Sequence, residues 1–218
     1  LSPELSGLVK DLCRKERVTF FVACLSVFKV LLYRYLGQED LLVGTTSAGR
    51  SRAECERLIG LFINPLVIRA DLSGNPQFRE LLARTRDTVL DAEAHRDFPF
   101  EKLVEDLRPD RDPSHSPLFQ VMFVLQDARR HETEFYALKA THLEVDRQTS
   151  MFDLTVFAAE TRDRIRLIAE YNTDLFDADT IERMLGHYET LLSAAASEPE
   201  QRVDELQLIA TSEERQLL

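Results

Sequence analysis

No stretch of these 218 residues is long and apolar enough to suggest a membrane span. The longest helical apolar run, Thr19 to Leu36, is interrupted by Ser26 and Lys29. The opening residues, LSPELSGLVKD, are neither basic nor signal-like. Cysteine is scarce: Cys13, Cys24 and Cys55 are an odd number without C-x-x-C spacing. That argues against a disulfide framework and for reduced thiols in a cytoplasmic protein. Basic residues are outnumbered, 27 against 38 acidic, for a net charge of -11. A nucleic-acid backbone is bound through clustered Lys and Arg, so such a partner is not expected, nor is attraction to an anionic membrane. The five histidines (His95, His115, His131, His142, His187) lack ligand spacing and never stand next to one another. They are expected to be surface or hydrogen-bonded residues, with no metal. Repeats and low-complexity segments are missing too.

What is present reads as a soluble α/β domain with enough chain for a sizeable core. Ser2 and Pro3 suit the cap and first residue of a helix over 3–16. A second helix runs from about Thr19 to Leu36 and stops at Gly37. Strands are expected at 41–46 and 65–70. Asn75-Pro76 is expected to open a helix to about Ala94, with Phe78, Leu81, Leu82, Thr85 and Val89 facing a core. A short helix follows Pro99, a buried strand covers 118–127, and 151–158 with 163–171 should form a hairpin. Asp177 is expected to cap a last helix whose Ile181, Met184, Leu185, Tyr188, Leu191 and Leu192 share one face. Thr211 with Glu214 reads as a capping box, a helix begun and cut short, as in a piece of a longer polypeptide.

The stretch LLVGTTSAGRS (41–51) comes within one residue of a phosphate-binding loop, G-x-x-x-x-G-K-[ST]. Arg50 stands where the lysine should be, and its planar fork does not suit the same nest. The serine in G-x-x-S-x-G, Ser47, is one residue out of place for a hydrolase elbow. Neither chemistry is expected.

Three later stretches occur in order: IGLFINPLVIRADL (59–72), HRDFPFEKLVEDL (95–107) and RDPSHSPLFQVMFVLQD (111–127). They resemble motifs of the C-terminal half of condensation domains from nonribosomal peptide synthetases, and the likeness extends over essentially the whole chain. Gly60, Phe62, Asn64 and Arg69 match the first motif, with Pro65 where the family usually has Thr. His95, Asp97, Pro99, Phe100 and Glu101 match the second. Arg111, Asp112, Ser114, Pro117, Leu118, Phe119 and Gln120 match the third. The resemblance implies a chloramphenicol-acetyltransferase-like lobe, a mixed sheet packed with helices, forming half of a two-lobe V. It implies that residues 1–210 are this lobe and 211–218 the start of a linker toward an adenylation domain.

The implied reaction joins aminoacyl or peptidyl groups delivered on the phosphopantetheine arms of donor and acceptor carrier proteins, with no cofactor held by the lobe itself. Its partners would be the N-terminal lobe, the two carrier proteins and the adenylation domain. The assisting histidine of H-H-x-x-x-D-G belongs to the N-terminal lobe, so no catalytic residue is expected here and the lobe would be inactive alone. Ser47, Arg50, Asn64 and Arg69 are the expected lining of the substrate channel, and the other motif residues are expected to be scaffold. Alternatives are the same lobe of an epimerisation or heterocyclisation domain, or a non-catalytic carrier-docking module. Residues 128–150, with Phe135, Tyr136 and Leu138, are the expected crossover to the other lobe.

Overall fold

The computed structural model describes residues 1–50, 53–110, 116–127, 134–135, 138–139, 148–160, 164–210 and 213–215. Helix α1 (Pro3–Glu16) starts as its cap dictates, the Ser2 hydroxyl accepting the Leu5 N–H at 3.2 Å. It buries Leu5, Val9 and Leu12, one stripe at helical spacing. Helix α2 (Phe20–Leu36) is capped by Thr19 and ended by Gly37 at φ 67°, where a side chain would be strained. Every residue from Val22 to Leu32 is buried, so this is the central helix of the core. That includes Lys29, whose ammonium reaches only the Arg69 carbonyl (3.4 Å) and the Thr85 hydroxyl (3.3 Å) among the described groups.

Helix α3 (Phe78–Ala94) begins later than its Asn75-Pro76 signal. Asn75 adopts φ 51°, and Gln77 forms a bridge with Arg202 while the Pro76 carbonyl accepts the Val203 N–H. The first free donors of the helix, on Phe78 and Arg79, go to the carbonyls of Gln201 and Pro199. A segment more than a hundred residues away thus replaces the local cap. Helix α4 (Phe100–Leu107) follows Pro99 as expected. Helix α5 (Ala178–Ser197) starts at Asp177, but that side chain makes no capping bond, contrary to expectation.

Strands β1 (Asp40–Ser47) and β2 (Asn64–Asp71) pair antiparallel over eight positions. Strand β3 (Val121–Asp127) starts three residues later than its apolar run, because Phe119 turns away to fill another gap. Two-residue strands β4 (Glu134–Phe135) and β5 (Leu138–Lys139) form a separate ladder within the expected crossover, most of which lies outside the described residues. Strands β6 (Leu154–Glu160) and β7 (Ile165–Tyr171) form the expected antiparallel hairpin. The main sheet has the order β2-β1-β3-β6-β7, with β3 parallel to both β1 and β6.

One face of this sheet, through Leu41, Val43, Ile68, Ala70, Phe123, Leu154, Val156 and Ala158, packs on α1, α2, α3 and α5 as a single core. Phe123 meets Phe28 at 5.4 Å between ring centroids, and the Tyr188 hydroxyl donates to the Cys24 carbonyl. The result is a two-layer mixed α/β lobe. Among the described residues, no single helix is long and apolar enough to cross a membrane.

Candidate functional site: the open sheet face and the β1–β2 loop

The parity that turns Leu66, Ile68 and Ala70 toward the helices turns Arg69 and Asp71 to the opposite face. There Arg69 donates Nε–H and Nη2–H to the two Asp40 oxygens, both at 2.8 Å. Asp40 lies diagonally across the ladder, since Arg69 is in register with Leu42. The guanidinium holds the Asp40 carboxyl below its ordinary range, and the carboxylate raises Arg69. Both side chains are exposed, so the pair orients a cation at the surface more than it stabilises the fold.

Further along this face, β1 and β3 meet at one register pair only, Gly44 with Met122. Phe119 is inserted beside it. A Cβ on Gly44 would lie 2.2 Å from the Phe119 ring, so the missing side chain makes the ring's berth. Phe100 and Phe152 flank Phe119 at 5.6 and 5.3 Å. Of the third motif, Leu118 is half-buried and Pro117 exposed. Gln120 donates to the Ser116 carbonyl, and its own carbonyl accepts the Asp153 and Leu154 amides, joining β3 to the start of β6. Arg111, Asp112 and Ser114 lie outside the described residues, as does His115.

The β1–β2 loop is closed at its neck. Gly49, at φ 62°, packs so tightly that a Cβ would strike the Phe62 carbonyl oxygen. The Arg50 guanidinium lies 4.3 Å from the centroid of the Phe62 ring and donates to the Cys55 carbonyl. Gly60 lets the Phe62 ring pass 3.2 Å from where its Cβ would be. Beyond this neck, Leu58, Ile59, Leu61 and Ile63 are all more than half exposed, Ile59 completely so.

Asn64 clasps this loop to the turn between α3 and α4. Its Nδ2 donates to the carbonyls of Arg96 (2.9 Å) and Phe98 (2.7 Å), and its Oδ1 accepts the Phe100 N–H (3.1 Å). The amide is therefore spent inside the chain, satisfying the first turn of α4 where Pro99 offers no capping side chain. His95 Nδ1–H donates to the Asp91 carbonyl, while Asp97, Pro99 and Glu101 are exposed around the same turn. Ser47 is buried at the end of β1, in register with Asn64. Gly44 to Ser47 lie within β1, and the helical element that follows among the described residues is the three-residue turn Ala53–Cys55. A phosphate loop would instead open a long helix there.

At the carboxyl ends of β1 and β3, a cleft of about 160 Å³ lies between Phe21, Thr45, Leu66, Val89, Glu93 and Leu125. Among the described residues, no cluster of His, Cys, Asp and Glu is arranged to hold a metal. The aromatic berth at Gly44 and the role of Phe152 were not legible in any motif. A glycine within a strand was the only signal that something approaches closely there.

The described residues thus form a two-layer lobe in which β1 and β3 run parallel with a single register pair and apolar residues project from the β1–β2 loop. The chain belongs to the condensation-domain family, whose match spans residues 1–218. It is 49% identical to a linear gramicidin synthase protein of Brevibacillus parabrevis over 99% of this chain and 4% of that protein. It is 41% identical to surfactin synthase subunit 1 of Bacillus subtilis (strain 168), over 98% of this chain and 6% of that one. The chain thus spans a small fraction of these synthases. Its fold matches that of a four-domain nonribosomal peptide synthetase bound to AMP and glycine, with a TM-score of 0.90 at 24% identity, over 98% of this chain and 17% of that one. The X-domain from teicoplanin biosynthesis matches with a TM-score of 0.85 at 26% identity, over 96% of this chain and 48% of that one.

Proposed function

We propose that this chain is the C-terminal lobe of a condensation domain and forms one wall of the channel in which carrier-bound aminoacyl or peptidyl thioesters are joined by an amide bond. The observation that carries this reading is the β1–β2 loop. A constricted neck presents Leu58, Ile59, Leu61 and Ile63 to solvent, a cost that a covering surface would remove. The chain also covers only about half of the X-domain it resembles, and it contains no adjacent histidines. The other lobe would bring the assisting histidine, and the substrates would arrive on the phosphopantetheine arms of donor and acceptor carrier proteins. Residues 1–210 are the lobe and 211–218 the start of a linker to an adenylation domain, in a cytoplasmic assembly. Arg69 is the exposed cation of the channel wall. Arg50 and Asn64 shape that wall by holding the loop, and Ser47 supports it from within.

The test is reconstitution. Mixed with loaded carrier proteins, the chain alone is expected to give no amide product above a protein-free control. An N-terminal lobe bearing the histidine pair is expected to bind it and restore product. Product from the chain alone would overturn the division of labour, and failure of the lobes to associate would overturn the lobe reading. Similarity to the X-domain, a protein also solved in complex with OxyB at 28% identity to this chain, favours a second reading, a docking module without chemistry. Association of the lobes without product, with both carriers loaded, would support it.

A further inference from the structure

Helix α5 places His187 on its buried face, at 8% exposure, beside Tyr35 on the last turn of α2. The Tyr35 hydroxyl lies 2.7 Å from His187 Nδ1, and His187 Nε2 lies 3.0 Å from the Glu213 carboxylate. A neutral imidazole serves both partners in one tautomer: Tyr35 O–H donates to Nδ1, and Nε2–H donates to Glu213. A protonated ring donates to both. The three residues come from α2, α5 and a helical turn beyond the core, so the imidazole joins pieces far apart in sequence.

Among the described residues beyond Leu206, few other contacts hold the chain. Among the described residues Leu206 is the last fully buried side chain, and its carbonyl accepts Arg34 Nη1–H at 2.8 Å. After it, Leu208 packs part-buried on the core. The remaining hydrogen bonds of the described residues are local: Gln207 donates to the Ile209 carbonyl, and the Glu213 and Glu214 amides donate to the Ala210 carbonyl. Glu213 to His187 is the long-range exception. A segment held by the half-buried Leu208, Ile209 and Ala210 and by one long-range chain of hydrogen bonds, with no fully buried side chain among its described residues, opens locally without disturbing the core.

We infer that Tyr35, His187 and Glu213 form a latch that docks the turn carrying Glu213 onto helices α2 and α5. The latch stands on this chain's own geometry. Its consequence, fixing the direction in which the chain leaves the lobe, rests on the linker reading above. Glu213 is the handle, because it is the only one of the three outside the core elements.

The experiment is amide exchange by NMR on the 218-residue chain, comparing the Glu213 and Glu214 positions with helix α5. Glu213→Ala removes a bond to a charged acceptor and is expected to speed exchange at these positions by roughly ten- to a hundredfold, leaving α5 unchanged. Tyr35→Phe is expected to act in the same direction but less. The pair together is expected to do no more than Glu213→Ala alone, since both cut one chain of bonds. Unchanged exchange in Glu213→Ala would overturn the latch, as would equal acceleration in α5 or strict additivity of the two substitutions. None of these outcomes depends on condensation activity, so the latch and the lobe reading fail separately.

Discussion

Replacing Lys29 by Met tests the most costly feature of the core. Lys29 is 1% exposed, and its ammonium faces only a carbonyl and a hydroxyl at 3.3–3.4 Å among the described groups. Burial lowers its pKa from 10.5 to about 8. That difference corresponds to about 3 kcal/mol of folding free energy lost while the group is charged in both states. Below about pH 8 folded and unfolded chains both hold the proton, and the loss is complete. Between 8 and 10.5 the unfolded chain keeps a proton that the folded chain has released, so stability rises with pH. Above 10.5 the amine is neutral in both states and the loss is gone.

Lys29→Met removes the charge but leaves the Thr85 hydroxyl and the Arg69 carbonyl without their donor, a cost of about 1 kcal/mol each. The variant is therefore expected to be more stable than the parent by about 1 kcal/mol at pH 7 and less stable by about 2 kcal/mol near pH 10.5. The measurement is urea unfolding of both chains across that range. Burial also raises the Cys13 thiol to about 11 and pushes up Cys24 and Tyr188. Those groups make stability fall at high pH in both chains, so they cancel in the difference. A difference that stays flat with pH would refute the reasoning.

The other substitutions separate scaffold from site. Gly44→Ala is expected to cost about 1–3 kcal/mol in urea unfolding, because the new Cβ meets the Phe119 ring, and Phe119→Leu in the same chain should recover part of it. Asn64→Ala removes three hydrogen bonds and is expected to destabilise the chain by about 2–3 kcal/mol, with Asn64→Asp equally poor at donating to the Arg96 and Phe98 carbonyls. Arg69→Ala is expected to leave thermal unfolding unchanged yet lower condensation in the two-lobe domain. Unchanged product yield with Arg69→Ala would remove it from the channel wall.

Local chemistry in the sequence was enough to determine most elements. Ser2, Thr19, Gly37 and Pro99 mark helix ends because a hydroxyl, an achiral carbon or a fixed φ acts within a few residues. Helical spacing named the buried faces of α3 and α5, because that period follows from backbone geometry alone. Three ordered motifs carried the family. What the tertiary structure decided are contacts between distant residues. Helix α3 starts at Phe78 because the carbonyls of Pro199 and Gln201 arrive to take its first amides, displacing the Asn75-Pro76 signal. Strand β3 gives up Phe119 because Gly44, on a neighbouring strand, leaves a berth for the ring. Asn64, expected in a substrate channel, spends its amide on the α3–α4 turn. His187 and Lys29 look alike in the sequence, single polar residues in helices. Packing gives the first two partners and leaves the second buried with no carboxylate among the partners described, a difference that no spacing encodes.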